Sequence, residues 1–194
     1  GVTNDLLKKS EKISKKFDST ELDTLLSTGE QVACSLLAGR LRHLGYNSRS
    51  WLAWQIPIIT SGEHNSSRII YINKSKIIKY LRSNGIPIIT GFQGLNNKNR
   101  ITTLGRGGSD TSAIMVAKFL KANKCIIYTD VVGVMTTDPR VFSKAKKIKV
   151  ISYEEMLEMS SLGSKVMQSS SVQEARLNRI DVDVKSSFKN ISGT

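Results

Sequence analysis

The stretch TTLGRGGSDTSAIMVAKFLKANKCIIYTD, from Thr102 to Asp130, carries the strongest fold signal in the chain. Its glycine-rich loop leads into a helix that we predict from Ser109 to Lys121, and a continuous apolar strand follows from Cys125 to Tyr128. A strand this short and this apolar is typical of a sheet that helices cover on both faces. The stretch therefore predicts an α/β fold.

Helices and short apolar strands alternate along the rest of the chain as well. The predicted helices cover residues 4–16, 29–44, 74–82, 152–160 and 164–178, and the predicted strands cover residues 51–53, 56–59, 68–72, 86–90 and 181–185. Asn4 is the expected cap of the first helix, and Ser27 and Thr28 precede the second. Because strands separated by helices usually pair in parallel, we expect one domain with a mainly parallel sheet.

The net charge of +13 is the most unusual feature of the composition. It would suit a polyanionic partner, but the basic residues are spread over predicted helices. The densest cluster, SKAKKIK from Ser143 to Lys149, lacks the aromatic pattern or zinc-ligand spacing of common nucleic-acid binders. We expect a solvated basic surface, and a nucleic-acid binder with salt-sensitive association is kept only as an alternative.

No apolar run approaches the roughly 20 residues that a membrane-spanning helix needs, so we expect no membrane association. The two cysteines, Cys34 and Cys125, lie far apart and without CxxC spacing. They are interpreted as buried thiols of a cytoplasmic protein, and neither a disulfide nor a metal site is predicted. His43 and His64 are isolated in the sequence and are interpreted as surface or core residues.

The glycine-rich loop is the first candidate for a binding site. Its glycines let the backbone approach a ligand, and Arg106 supplies a fixed cation that can hold a carboxylate through two parallel hydrogen bonds. Ser109 and Asp110 are expected to cap the following helix, whose N–H groups would face an anion. A flexible turn with a helix cap is the alternative interpretation.

The second candidate is TDVVGVMTTDPR, from Thr129 to Arg140, which follows the apolar strand. A hydroxyl and a carboxylate at a strand end, followed by a cation, would suit a nucleotide. A pair of β-turns punctuated by Gly133 and Pro139 explains the same residues without a ligand. Lys165 could contact a further phosphate, and Glu30, expected in the first turn of its helix, could face an ammonium group or simply complement the helix dipole.

These motifs closely resemble aspartokinases of the amino acid kinase superfamily. The resemblance runs in the family's order through LSTGEQ (26–31), GFQG (91–94), TTLGRGGSDT (102–111), YTDVVGVMTTDPR (128–140), ISYEEMLEMSSLGSKV (151–166) and VKSSF (184–188). It implies a three-layer αβα sandwich around a mainly parallel sheet. The implied reaction converts ATP, with Mg²⁺, and L-aspartate to 4-phospho-L-aspartate, the first step towards lysine, threonine and methionine.

The resemblance also assigns roles to residues of the two loops and beyond. The substrate-binding positions that it implies are Thr3, Glu30, Arg106, Ser109 and Asp110, with Arg106 and Asp110 also given a catalytic role. The nucleotide-contacting positions that it implies are Thr129, Asp130, Met135, Arg140 and Lys165. Met135 departs from the tyrosine that is usual there. A protein cage for a metal ion is not implied.

The chain also departs from the family at its two ends. The family's opening KFGGTSV, with its catalytic lysine, has no counterpart, so residues 1–188 are interpreted as a partial kinase domain. Residues 189–194 are interpreted as the start of a linker to regulatory ACT domains. We expect little or no turnover from this chain alone, because the lysine that neutralises the transferred phosphoryl group is missing. A non-catalytic remnant that binds nucleotide or a partner stays as the alternative, and a homodimer is left open.

Overall fold

The computed structural model describes residues 1–164 and 166–194, and the expectation for Lys165 therefore lies outside the described residues. The chain divides into two compact units, Gly1–Ser112 and Ala113–Thr194. The helices are α1 (Val2–Ile13), α2 (Ser19–His43), α3 (Ser75–Arg82), α4 (Gly108–Leu120), α5 (Tyr153–Ser161) and α6 (Ser169–Asn178). The strands are β1 (Ser48–Trp51), β2 (Ile58–Ser61), β3 (Arg68–Ile72), β4 (Ile86–Ile89), β5 (Gln93–Leu95), β6 (Ile101–Thr103), β7 (Cys125–Thr129) and β8 (Val182–Ser186).

The strands of the first unit form two sheets. In one, β1 and β4 pair in parallel, with Ser48 opposite Ile86 and Trp51 opposite Ile89. The other has the order β3-β2-β5-β6, in which β2 and β5 are parallel and the two outer pairs are antiparallel. Three of the five strand pairings in the described residues are parallel, and the predicted α/β class with mainly parallel pairing is confirmed.

The hairpin of β5 and β6 was not expected from the sequence. Each strand has three residues, which is too short for an alternating pattern to be visible. The connecting turn is closed by Asn96, whose side-chain oxygen accepts hydrogen bonds of 3.0 Å from the backbone amides of Lys98 and Arg100. The glycine-rich loop follows directly after the second strand of this hairpin.

Helix α2 packs along β1, β4 and β6. The hydroxyl of Ser48 donates a 2.7 Å hydrogen bond to the carbonyl of Ala38, and the Cys34 thiol lies 2.9 Å from the carbonyl oxygen of Ile88. Both cysteines are buried, as predicted, and they are not joined in a disulfide. Burial raises the pKa of the Cys34 thiol, which disfavours the reactive thiolate.

The predicted start of α2 was wrong. The helix begins at Ser19, because the carboxylate of Asp18 accepts hydrogen bonds from the amides of Thr20 at 2.9 Å and Glu21 at 3.0 Å. The hydroxyls of Ser27 and Thr28 do not cap a helix but return to carbonyls three residues earlier. Asn4 likewise lies inside α1, which begins at Val2.

The second unit has an apolar core between α4, α5, α6, β7 and β8. The buried residues of that core are Ile114, Ala117, Cys125, Ile127, Val134, Met156, Met167, Val172, Ala175, Ile180 and Val184. Strands β7 and β8 pair in parallel, with Cys125 opposite Val182 and Thr129 opposite Ser186. Along β7, Cys125 and Ile127 are buried in this core while Ile126 and Tyr128 are exposed.

Residues 190–194 fold back onto the second unit. The backbone of Thr194 exchanges two hydrogen bonds with that of Val184, at 2.9 and 3.0 Å, and its hydroxyl donates a 2.7 Å hydrogen bond to the carbonyl of Ile148. Within residues 1–164 and 166–194, no helix is both long enough and apolar enough to cross a membrane.

Candidate functional site

The glycine-rich loop, residues 104–107, connects β6 to α4 and carries Arg106 at its tip. Gly105 and Gly107 have φ angles of +73° and +72°, which is the left-handed region that favours glycine. The Arg106 side chain is exposed, and its guanidinium has no hydrogen bond or ion pair with any residue that the structure describes. A cation on a loop held by two left-handed glycines is therefore available to an anionic ligand.

Helix α4 begins at Gly108, one residue earlier than predicted. Ser109 and Asp110 consequently lie in its first turn instead of capping it, because the chain already turns into the helix through a 3.1 Å hydrogen bond from the Gly108 amide to the Gly105 carbonyl. Burial raises the pKa of the Asp110 carboxyl. The first turn thus offers exposed Ser109 and a partly buried acid beside the arginine loop.

Glu30 lies in the middle of the 25-residue α2, so the expected position in a first helical turn was wrong. Its Oε2 atom is buried and has no hydrogen-bond partner among the described residues. Burial raises the pKa of the Glu30 carboxyl, because a desolvated carboxylate is costly. A buried carboxylate oxygen without a partner is a place where a cationic group of a ligand would be stabilised.

Thr3 lies in α1, which crosses α2 one residue before Glu30. A Cβ built on Gly29 would approach Cγ1 of Val2 to 3.3 Å, so the absence of a side chain at Gly29 lets the two helices approach. Thr3 is partly buried and follows Val2 directly. The helix crossing thus brings the segments that contain Thr3 and Glu30 into contact.

The segment from Gly91 to Gln93 joins α2 to the start of α4. The side chain of Gln93 is fully buried at 0% exposure and donates a 3.0 Å hydrogen bond to the carbonyl of Ser27 in α2. On the other side, the amide of Phe92 donates a 2.9 Å hydrogen bond to Oγ of Ser112. A Cβ on Gly91 would lie 3.5 Å from Cα of Ser109, so this segment is packed between the two helices.

A buried carboxylate that the sequence did not reveal lies behind the glycine-rich loop. Asp23 of α2 is 0% exposed and lies 2.6 Å from Nδ1 of His64. It accepts a hydrogen bond of 2.5 Å from the Thr103 hydroxyl and bonds of 3.2 Å from the Asn65 amide. His64 is therefore not isolated, as its sequence position had indicated, but part of a buried polar cluster.

In the second unit, the predicted nucleotide residues begin at the carboxyl end of β7. Thr129 ends that strand, and its hydroxyl donates a 3.1 Å hydrogen bond to the exposed carboxylate of Asp130. The carbonyl of Thr129 accepts a 2.8 Å hydrogen bond from the amide of Ser187, just beyond β8. Ligands of parallel sheets gather at this end of the strands.

Met135 and Arg140 lie on the segment that follows. Met135 forms an antiparallel bridge with Lys147, which places the predicted basic cluster beside this segment. Arg140 donates three side-chain hydrogen bonds to Asp138: Nε to Oδ1 at 3.0 Å, Nε to Oδ2 at 3.2 Å, and a terminal nitrogen to Oδ2 at 2.7 Å. The hydrogen bond and charge of Asp138 raise the pKa of Arg140.

A cavity of about 540 Å³ opens at the same end of β7 and β8, and it is large enough for a small ligand. It is lined by Tyr128 and by residues 185–192. Tyr128 and Lys185 face each other in the parallel register. Residues 189–192 are part of this lining, although the sequence indicated residues 189–194 only as the start of a linker.

Comparison with known proteins identifies the family of this chain. The family model that matches is described as the amino acid kinase family, and the match covers residues 1–186. The chain belongs to the amino acid kinase family. A curated aspartokinase of Geobacillus stearothermophilus is 46% identical over 193 residues, covering 100% of this chain and 47% of that protein. A curated aspartokinase of Rickettsia felis is also 46% identical, over 198 residues, covering 100% of this chain and 49% of that protein.

Solved structures agree with the curated relatives. Aspartokinase III of E. coli, in complex with aspartate and ADP, has a TM-score of 0.86 and 31% identity, covering 98% of this chain and 44% of that one. The aspartate kinase of Synechocystis has a TM-score of 0.84 and 36% identity, covering 98% of this chain and 31% of that one. The resemblance to aspartokinases inferred from the motifs is confirmed, and the chain spans about half the length of the curated relatives it matches.

Proposed function

We propose that this chain binds L-aspartate and a nucleotide and serves an aspartate kinase reaction, ATP plus L-aspartate giving ADP and 4-phospho-L-aspartate. The observation that carries the proposal is the buried, partnerless Oε2 of Glu30 in a chain 46% identical to aspartokinases. An amino acid supplies the ammonium group that this oxygen lacks. The relative crystallised with aspartate and ADP supports the same pair of ligands.

Aspartate would be held by groups of opposite charge in the first unit. The ammonium group would face Glu30, and Arg106 would hold a substrate carboxylate through paired hydrogen bonds. Thr3 and Ser109 would add hydroxyl contacts from α1 and α4. Asp110, whose burial raises the pKa of its carboxyl, would be ionised at lower cost once a cationic group is bound nearby.

The nucleotide would bind in the second unit, at the carboxyl ends of β7 and β8. Thr129 and Asp130 offer a hydroxyl and a carboxylate for a ribose or base, and the 540 Å³ cavity lies beside them. Met135 would give apolar contact. Arg140, oriented by Asp138, would face the phosphates, with Lys165 as a further cation.

For this phosphoryl transfer, the main task of the protein is to hold the two substrates in the reactive arrangement. A carboxylate is already a nucleophile at neutral pH, so no general base is needed, and the transferred phosphoryl group moves from ATP to the side-chain oxygen of aspartate. The residues of the site then hold the two substrates and offset charge. When bound with the nucleotide, Mg²⁺ neutralises part of the phosphate charge.

The described residues fit an ion that arrives on the nucleotide better than an ion in a protein cage. No group of three or more His, Cys, Asp or Glu side chains in the described part of the chain is arranged to hold a metal. Asp130, exposed at the end of β7, is a single carboxylate of the kind that contacts nucleotide-borne Mg²⁺.

Equilibrium titrations of the chain with L-aspartate and with Mg-ADP test the proposal. Saturable binding of each ligand is expected, and L-asparagine and D-aspartate serve as matched controls that should bind less tightly. Absence of saturable L-aspartate binding, or equal binding of L-asparagine, contradicts the aspartate assignment. Absence of Mg-ADP binding contradicts the nucleotide assignment.

A further inference from the structure

The Asp23 carboxylate connects three parts of the first unit. It lies on α2, but its partners come from the loop between β2 and β3 (His64 and Asn65) and from the end of β6 (Thr103). All these contacts span more than 40 positions of sequence, between residues 23 and 64, 65 or 103. One buried side chain therefore fixes the relative position of a helix, a loop and a strand.

Burying a carboxylate is costly, and its hydrogen bonds only offset that cost. Apolar residues of similar size often stabilise a core at least as well as a buried charged cluster. Such a cluster contributes a defined geometry, because each directional hydrogen bond fixes the position of its partner. Asp23 therefore fixes the positions of the residues to which it is hydrogen-bonded.

Both partner segments lie against the arginine loop. Thr103 is the last residue of β6 and precedes Gly105 by two positions. The Asn65 carbonyl oxygen, one residue beyond His64, lies 2.7 Å from the point where a Cβ on Gly105 would be, so the loop between β2 and β3 packs directly on Gly105. The amide of Ser67 also donates a 3.1 Å hydrogen bond to the Thr103 carbonyl.

We infer that Asp23 is a positioning residue for substrate binding: through Thr103 and Asn65 it sets the conformation of the glycine-rich loop and hence the direction of Arg106. The inference rests on the proposed role of Arg106 in holding aspartate. Asp23 itself does not touch the substrate in this arrangement. It acts on the strand end and on the packing surface beneath Gly105.

Amide hydrogen exchange of the 194-residue chain tests the positioning role without any ligand. The amides of Leu104 and Gly108 donate to the carbonyls of Phe92 and Gly105 and report directly on the loop. In Asp23→Asn, we expect these two amides to exchange about tenfold faster or more, with a smaller change in β1 and β4, because local opening is separable from global unfolding.

Thr60→Val is the matched control. It removes another buried hydrogen bond of the same sheet, the one of 2.6 Å between the hydroxyls of Thr60 and Thr102. That hydrogen bond does not involve Asn65. A purely structural role of Asp23 predicts the same exchange profile for Thr60→Val and Asp23→Asn, and that result overturns the inference. If Asp23→Asn does not fold, Thr103→Val and His64→Gln remove the partners one at a time and are measured in the same way.

A ligand titration separates this inference from the proposed function. Asp23→Asn is expected to raise the dissociation constant of L-aspartate by about tenfold or more, because a misdirected Arg106 loses its charge-assisted contact with the substrate carboxylate. The dissociation constant of Mg-ADP should stay unchanged. If the unmodified chain fails to bind L-aspartate, the proposed function fails, while the exchange rates still decide the role of Asp23. Unchanged exchange at Leu104 and Gly108 in Asp23→Asn refutes the positioning role whatever the titration gives.

Discussion

The carbonyl oxygen of Asn65 lies where a side chain at Gly105 would begin, since an added Cβ would be only 2.7 Å away. Gly105 also has a φ of +73°, which L-residues adopt only at a cost. The loop that carries Arg106 is therefore constrained twice, by its own backbone and by its neighbour.

Gly105→Ala should destabilise the first unit more than the same change at an open glycine. Gly45→Ala is the control, because Gly45 has a φ of +87° with nothing within 4 Å of an added Cβ. The left-handed backbone costs roughly 1–2 kcal/mol in both variants. The backbone contact at Gly105 adds about 1–3 kcal/mol. Urea unfolding measures both, and equal losses would contradict the close packing on Asn65.

Arg106→Ala should weaken L-aspartate binding by about 10- to 100-fold, the range for losing hydrogen bonds to a charged group, and leave Mg-ADP binding unchanged. Arg106→Lys should recover only part of the affinity, because an ammonium group cannot make the paired contact. Arg82→Ala, at an exposed arginine of α3, is the control. Calorimetric titration measures the constants, and an unchanged aspartate constant in Arg106→Ala would refute the assigned role.

Glu30→Gln should change the pH dependence of stability in the absence of ligand. Burial raises the folded-state pKa of Glu30, so its favourable contribution is fully present below the unfolded pKa, near 4.3. It is lost as the pH rises through the folded pKa. Relative to the unmodified chain, the variant should therefore gain stability as the pH rises from the unfolded pKa through the raised folded pKa. Glu11→Gln, on an exposed position of α1, should show no such gain in urea midpoint. A constant difference across this range would count against desolvation of Glu30.

Asp18→Ala should lower the urea midpoint at neutral pH, because it removes the cap of α2 at the amides of Thr20 and Glu21. Asp18→Asn should retain most of the stability, since asparagine also caps helices. The hydrogen bond from Glu21 lowers the pKa of Asp18, so the benefit of the acid is present above its unfolded pKa and is lost as the pH falls. A neutral effect of Asp18→Ala would show that the helix does not depend on this cap.

The sequence revealed the features that depend on local pattern. The helix from Gly108 to Leu120 and the strand from Cys125 to Thr129 follow from apolar spacing and lie within a residue of the predicted bounds. The start of α2 was missed because Ser27, Thr28 and Gly29 look like a helix start. In the structure the hydroxyls of Ser27 and Thr28 donate hydrogen bonds to carbonyls within the helix. Gly29 lies where α1 packs closely against α2.

The features that depend on tertiary contacts were not visible. Nothing in the local sequence links Asp23 to His64, because the pair is made only when a loop between two strands packs onto α2. The cavity beside Tyr128 is likewise completed by residues 189–192, which have no regular structure to predict. Motif order predicts individual site residues, whereas the burial of Glu30 and the pairing of Asp23 are visible only in the fold.

The most direct test of the aspartate site is to follow the backbone amide signals of Glu30 and of residues 104–110 by NMR while L-aspartate is added. We expect saturable shifts of the Glu30, Arg106, Ser109 and Asp110 amides, with one dissociation constant for all four, and much smaller shifts with L-asparagine. Shifts that do not saturate, or that appear only elsewhere in the chain, would contradict the assignment of this loop as the aspartate site.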